Sequence, residues 1–290
     1  MKTIIVPLDF STESLSGLNL AIMLAKKSGA GIQMAHVILK NENNSDEQIK
    51  EQLQKAEIKF EDLLKKYKDK ISSDFTLSSI VKEGKIFEEI TKLAEQNEDA
   101  LIVLSTHGES GFEELFIGGN AYKITSNSKN PVISVRRSKI SSGINRIVLP
   151  LDITFETREK VPYTLEIAKL FNAEIHLLSV RQTNNKSIQK KLHQYVEQVA
   201  SYIGKQNVTF KIEHLMGKNI TDITLEYSRS VDADLISIMT EQEKSVSNVL
   251  LGSYAHQMIN KAFIPVLSFP NYHLRLVTSD IWTLGAFNPR

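Results

Sequence analysis

The stretch TIIVPLDFSTES, residues 3–14, returns as RIVLPLDITFET at 146–157. Each is a short β-branched run that ends in Pro-Leu-Asp and hands over to small polar residues suited to starting a helix. Further pairs keep the same order along the chain. GAGIQMAHV (29–37) matches NAEIHLLSV (172–180), Gly84-Lys85 matches Gly217-Lys218, LFIGGNAYKI (115–124) matches VLLGSYAHQM (249–258), and PVISV (131–135) matches PVLSF (265–269). Ordered self-similarity of this kind marks a duplicated module. The offset falls from 143 residues at Asp9 and Asp152 to 134 at Gly118 and Gly252, so the second copy is shorter by about ten residues between Val180 and Gly217.

Within each copy, strand-like and helix-like segments alternate. Residues 3–8 are apolar without alternation, which suits a strand buried on both faces. Ser11 or Thr12 can cap the helix that follows, whose apolar positions Leu18, Ala21, Ile22 and Ala25 fall at helical spacing. Gly29 and Gly31 end it. A second strand is expected at 32–38, and Ile49, Leu53, Ala56, Phe60, Leu63, Leu64 and Tyr67 then step by three and four, the stripe of an amphipathic helix. A strand near 75–82, a helix at 86–95, the strand ALIVLS (100–105), a helix after the glycines and the strand PVISVRR complete the copy. The second copy repeats the pattern, with Ile188, Leu192, Tyr195, Val199 and Ile203 along its second helix. Pro162 inside its first helical pattern predicts a late start or a kink. Strands separated by helices pair in parallel through right-handed crossovers, so the expected fold is α/β, with two doubly wound lobes. The polar segment RSKISSGIN (137–145) is the natural boundary. The expected domains are therefore 1–140 and 141–270, followed by a tail, 271–290, with no counterpart in the first copy and the chain's single tryptophan, Trp282.

Composition narrows the function. A chain of 290 residues with 41% hydrophobic residues has material for two cores. A net charge of +1 with basic residues scattered among acids supplies no field for nucleic acid. Absence of cysteine removes disulfides and thiolate chemistry. No apolar run is long enough to span a membrane, and the start runs straight into a strand without room for a signal peptide, so a cytoplasmic protein is expected.

The most distinctive segment is VLSTHGESGFEELFIGGNAYKI, residues 103–124, with four glycines. A hydrolase elbow needs Gly-x-Ser-x-Gly, but Phe112 stands where the second glycine belongs after Gly108-Glu109-Ser110. No Gly-Lys-Ser/Thr follows at Walker A spacing, no Gly-x-Gly-x-x-Gly follows the first strand, and the seven histidines have no ligand spacing, so no metal is expected. Backbone chemistry remains. In open α/β sheets ligands sit beyond the carboxyl ends of the strands at the switch point, here flanked by strands one and four. The loops there are Pro7-Leu8-Asp9 and the glycine stretch. Glycines let amides approach oxyanions closely, and a helix starting at Gly118-Gly119-Asn120 adds partial positive charge. Asp9 could accept from a ribose hydroxyl or a base amine. Equally, Asp9 and Asp152 could simply cap helices. His36 reads as a satisfied core histidine, and the charged run at 41–70 as a solvated helix face.

These motifs together resemble the universal stress protein family in its tandem, two-domain form. IIVPLDFS, the mid-domain His36-Val37, THGESGFEELFIGGNA and PVISVRR carry the likeness, which covers residues 1–269. It implies Rossmann-like five-stranded sheets of order 3-2-1-4-5 related by a pseudo-two-fold axis, an intramolecular pseudo-dimer through the fifth strands, and scope for a further homodimer. It also implies two branches, one binding ATP, with or without magnesium, and one not. The ATP pattern, Gly-x2-Gly-x9-Gly followed by Ser or Thr, falls on Ser105, Gly108, Gly118 and Gly119. By the same resemblance Asp9 lies by the nucleoside and the Val37 backbone reaches the adenine. In the second copy the pattern falls on Met239, Gln242, Gly252 and Ser253, with Asp152 and Val180 as the other counterparts. Glu241 and Glu243 there oppose a triphosphate. The expectation is a stress-response protein that holds an adenine nucleotide in the first domain and works through partners. No general base or arginine finger is legible, so any hydrolysis would be slow. The alternative is an interaction scaffold without nucleotide.

Overall fold

The computed structural model describes residues 1–39, 45–68, 75–106, 118–136, 143–154, 156–240, 242–244 and 249–270. Two compact units divide the chain at Lys139 and Ile140.

In the first unit, β1 (Thr3–Pro7), β2 (Gly31–Leu39), β3 (Leu77–Gly84), β4 (Ala100–Ser105) and β5 (Val132–Val135) alternate with α1 (Thr12–Ser28), α2 (Asp46–Tyr67), α3 (Ile86–Glu95) and α4 (Gly119–Asn127). The strand order is β3-β2-β1-β4-β5, and its pairings are parallel. Ile4, Ile5 and Val6 of β1 are completely buried, as expected for a central strand covered by helices on both faces. Each such side chain contributes about 1.5–3 kcal/mol relative to exposure. Ser11 caps α1, its hydroxyl accepting from the Ser14 amide. Gly29 closes that helix in the left-handed region, at φ 72°. Asn172 does the same in the second unit at φ 54°, consistent with asparagine being the next most tolerant residue there. The α2 stripe is buried at Ile49, Ala56, Phe60, Leu63 and Tyr67, so it serves the core.

In the second unit, β6 (Arg146–Leu151), β7 (Glu174–Arg181), β8 (Phe210–Met216), β9 (Leu235–Thr240) and β12 (Val266–Pro270) repeat this order as β8-β7-β6-β9-β12. Its helices are α5 (Val161–Phe171), α6 (Lys186–Gly204), α7 (Ile220–Ser230) and α8 (Ser253–Lys261). Pro162 acts through a late start: α5 begins only at Val161, after a 3-10 turn at Glu156–Arg158, because the proline is tolerated only in the first turn. One element was not expected. The segment MTEQEKSV contributes a short strand, β10 (Gln242–Lys244), which pairs antiparallel with β11 (Val249–Leu251). A two-stranded antiparallel ladder stands where the repeat places the counterpart of the first copy's glycine stretch.

Candidate functional site

In the first unit the chain order reverses between β1 and β4, and a cavity of about 660 Å³ opens beyond their carboxyl ends. Its floor and walls follow from where each strand stops. The Leu8 amide donates to the Ala35 carbonyl at 2.8 Å, the last rung between β1 and β2. Groups alternate sides along a strand, so Ala35 and Val37 both face the β1 side. Since β1 has ended, the Val37 amide and carbonyl lie at the crevice, which Val37 lines.

Asp9 follows directly. Its carboxylate accepts from the Ser11 amide at 3.0 Å and from the Ser11 hydroxyl, while Ser11 caps α1. Phe10 is held at φ 66°, a left-handed conformation uncommon for a bulky residue. Its ring pays that cost back in contacts, lying 4.8 Å from His36 and 5.0 Å edge-on from Phe60. The His36 Nδ1 lies 2.7 Å from the Leu8 carbonyl, which only accepts, so Nδ1 carries the proton. His36 is thus satisfied as expected, but it is half-buried and borders the cavity rather than the core.

On the other side β4 ends at Ser105, and Thr106 anchors to β5 through its amide, 2.9 Å from the Val135 carbonyl. The Thr106 carbonyl accepts from the Gly118 amide at 2.7 Å. This corrects one expectation: the Gly118 amide is turned into the fold and is not offered to an anion. What glycine permits there is close approach, since a Cβ would lie 3.0 Å from the Thr106 carbonyl oxygen. At Gly119 a Cβ would meet nothing within 4 Å. The donors at the site are the first-turn amides of α4, those of Gly119, Asn120 and Ala121, which have no carbonyl to reach within their own helix. Together they carry about half a positive charge. The Ser105 hydroxyl is sealed from solvent, belongs to a residue that lines the cavity, and has no hydrogen-bond partner among the described residues. Ile86, Ile90, Leu104 and Ile124 supply apolar wall.

Pro7, Leu8, Asp9, Val37, Ser105, Gly118, Gly119 and Asn120 therefore border one cavity. Gly108 lies outside the described residues. Ser14 and Gln52 also line it without having been singled out, and so does His36, which the sequence had assigned to the core. Gln52 was obscured because α2 reads as a solvated helix, and Ser14 because its spacing from Asp9 serves capping equally well.

The second unit keeps the scaffold. The Asp152 carboxylate accepts from the Thr154 amide at 2.7 Å, Gly252 caps α8 with backbone angles close to those of Gly118, and the Thr240 hydroxyl donates to the Phe269 carbonyl as Thr106 does to Val135. Val180 is buried within β7, and Ser253 is exposed at the start of α8. What differs is the set of side chains between these points. In the aligned repeat Met239 stands for Ser105, Tyr254 for Asn120 and Lys160 for Gly17. Met239 is buried, and the Tyr254 hydroxyl is sealed from solvent beside Thr224 without a well-formed hydrogen bond. Burial pushes the Tyr254 phenol well up from its usual value. Lys160 is 2% exposed and donates to the Thr157 hydroxyl at 3.2 Å. Burial lowers its ammonium pKa to about 8, with the Asp152 carboxylate opposing the shift. A lysine here was not foreseen; the only signal was its alignment with Gly17, which packs against the Val103–Ser105 backbone of β4.

The model of the universal stress protein family matches residues 1–136 and again 143–270. A universal stress protein of Methanocaldococcus jannaschii is 29% identical over 148 residues, which are 48% of this chain and 84% of the relative. A crystal structure of a universal stress protein from Archaeoglobus fulgidus superposes with a TM-score of 0.76 at 20% identity, covering 93% of this chain and 98% of the other. A protein of unknown function from Pseudomonas aeruginosa superposes with a TM-score of 0.67 at 14% identity, over 97% of this chain and 98% of its own. The two structural likenesses concern the fold alone. Among the described residues no helix is long and apolar enough to cross a membrane.

Proposed function

The chain belongs to the universal stress protein family, and on that premise we propose that its first unit binds an adenine nucleotide in the switch-point crevice while its second unit does not. The observation that carries the reading is the single cavity shared by the ends of β1 and β4, the Val37 backbone and the first turn of α4. Adenine offers a donor and an acceptor on one edge, which the Val37 carbonyl and amide can match. Ile86 and Ile90 give an apolar surface for the ring, Asp9 stands where a ribose hydroxyl could donate, and the α4 amides point toward a phosphate. ATP, with magnesium bound to its phosphates, is the ligand that the family likeness suggests. Nothing in the described lining provides a general base aimed at a phosphate, so the function proposed is a ligand-dependent change in partner binding rather than turnover.

The second unit favours a different role. With Lys160, Met239 and Tyr254 in place of small residues, it supplies its own cation and its own filling, in keeping with a scaffold.

Titration calorimetry on nucleotide-stripped full-length protein tests the proposal. One molar equivalent of adenine nucleotide should bind. A Gly119→Asp variant puts a carboxylate at the α4 terminus where space is open, so it should abolish binding without lowering the melting temperature. Absence of heat at millimolar nucleotide, or two equivalents bound, would refute it.

A further inference from the structure

We propose that the second unit carries a surface site for monovalent copper, formed by His193 of α6 with His214 and Met216 of β8; it does not depend on the nucleotide reading. Among the described residues β8 pairs with β7 alone. Side chains alternate along a strand, so His214 and Met216 share one face of β8. Both are exposed there, Met216 to 59%. His193, itself exposed on α6, meets them from the helix: its ring centroid lies 6.3 Å from that of His214. The sequence shows no ligand spacing because a helix and a strand supply the two rings.

His214 is already oriented for a ligand. The Ser179 hydroxyl, buried in β7, lies 2.6 Å from His214 Nδ1. With Nδ1–H donating to that oxygen, Nε2 is left with a bare lone pair. Metal-binding imidazoles are held in this way, by a hydrogen bond from the other ring nitrogen. The duplication shows that the fold does not require these side chains. β2 and β3 pair in the same register, and there His36 stands opposite Val81 where Ser179 stands opposite His214, while Glu83 takes the place of Met216. A methionine left so exposed gains little from burial, so packing does not account for it.

The distances and donors select the metal. An imidazole nitrogen binds at about 2.0 Å, which puts the ring centroid about 3.2 Å from the ion. Two rings on opposite sides of one ion would stand about 6.4 Å apart, and two at a tetrahedral angle about 5.2 Å. The observed 6.3 Å is near the open limit, which suits an ion that takes two or three ligands rather than the four of zinc. Among the described residues no third histidine, aspartate or glutamate joins the pair in a metal-holding group. The further donor that β8 offers on this face is the Met216 thioether, and soft sulfur ligands select Cu(I). Arg181 stands opposite Met216 in the ladder, and its charge opposes a divalent ion twice as strongly as a monovalent one.

The test is anaerobic titration of the full-length protein against Cu(I) held by a chromogenic chelator of known affinity, with Zn(II) measured in parallel against a zinc indicator. One equivalent of Cu(I) should pass to the protein, at least tenfold more tightly bound than Zn(II). His193→Gln and His214→Gln should each weaken Cu(I) binding at least tenfold. Met216→Leu keeps the size of the side chain; it should weaken Cu(I) by a similar factor, leave Zn(II) unchanged, and remove the sulfur signal from the X-ray absorption spectrum of the copper-loaded protein. Melting temperatures of the metal-free variants should match the parent, since all three side chains are exposed. No transfer of Cu(I), or transfer that all three variants preserve, overturns the site. Zinc bound as tightly as Cu(I), or a Met216→Leu variant with the parent's copper affinity and spectrum, overturns the assignment to copper.

Discussion

Replacing Lys160 by methionine should stabilise the second unit at neutral pH, and the gain should fade as pH rises. Lys160 is 2% exposed, its nitrogen has a threonine hydroxyl as hydrogen-bond acceptor, and its pKa falls from 10.5 to about 8. One pKa unit corresponds to 1.36 kcal/mol, so holding the ammonium buried costs about 3 kcal/mol relative to the neutral amine. The sign follows from proton linkage. Below pH 8 both folded and unfolded chains are protonated, and the penalty is present in full. Between about 8 and 10.5 the unfolded chain keeps a proton that the folded chain has released, so stability rises with pH across that window. Methionine has similar length and no charge, so Lys160→Met should be more stable than the parent by up to about 3 kcal/mol at pH 7 and by only about 1 kcal/mol at pH 9.5. Scanning calorimetry of the full chain at both pH values reads this, the transition of the second unit being the one that the substitution moves. Parallel stability profiles for parent and variant, or a variant less stable at pH 7, would show that Lys160 is not held charged in a closed interior.

Two further tests address the glycines and the buried histidine. Gly118→Ala must displace either α4 or the end of β4, because its Cβ would lie 3.0 Å from the Thr106 carbonyl. It should cost about 1–3 kcal/mol, as overpacking does, whereas Gly119→Ala should be tolerated; equal melting temperatures for the two would contradict the packing argument. His176 is buried between Tyr227 and Glu174, at 2.8 Å from each, and burial holds its pKa below 6.5 despite the carboxylate. The unfolded chain therefore takes up a proton first, and stability should fall as pH drops from 6.5 through the lower folded value. Urea unfolding of His176→Gln should show a flatter profile between pH 6.5 and 5, and an unchanged slope would remove His176 as the cause.

Much of the fold was readable because both copies carry the same local signals. Alternating strand and helix patterns, the Ser11 cap and the α3 limits depend on neighbours in sequence, and their positions follow from local physics. The late start of α5 was legible at Pro162 for the same reason. What escaped depends on contacts between distant segments. The direction of the Gly118 amide is decided by the Thr106 carbonyl at the end of β4, and no pattern around Gly118 announces it. Lys160 reads as a surface residue in any local window, and only the closed surroundings of the second unit make it an internal cation. The β10–β11 pair has no apolar alternation to betray it.

The duplication also separates scaffold from site. Asp9 and Asp152 make the same turn, Thr106 and Thr240 tie the same strand ends, and Gly118 and Gly252 start the same helix. Features present in both units are required by the fold and say little about a ligand, which weakens Asp9 as a diagnostic residue even though it borders the cavity. The pairs that differ are the informative ones: Gly17 against Lys160, Ser105 against Met239, Asn120 against Tyr254. In each pair the first unit has the smaller residue, and in each the larger side chain of the second unit is buried or has its polar end sealed from water. If one backbone can be built with the crevice either open or filled, keeping it open in the first unit forgoes the apolar burial that Met239 provides in the second, roughly 1.5–3 kcal/mol for one side chain. A gap retained at that cost is in keeping with the ligand proposed for the first unit.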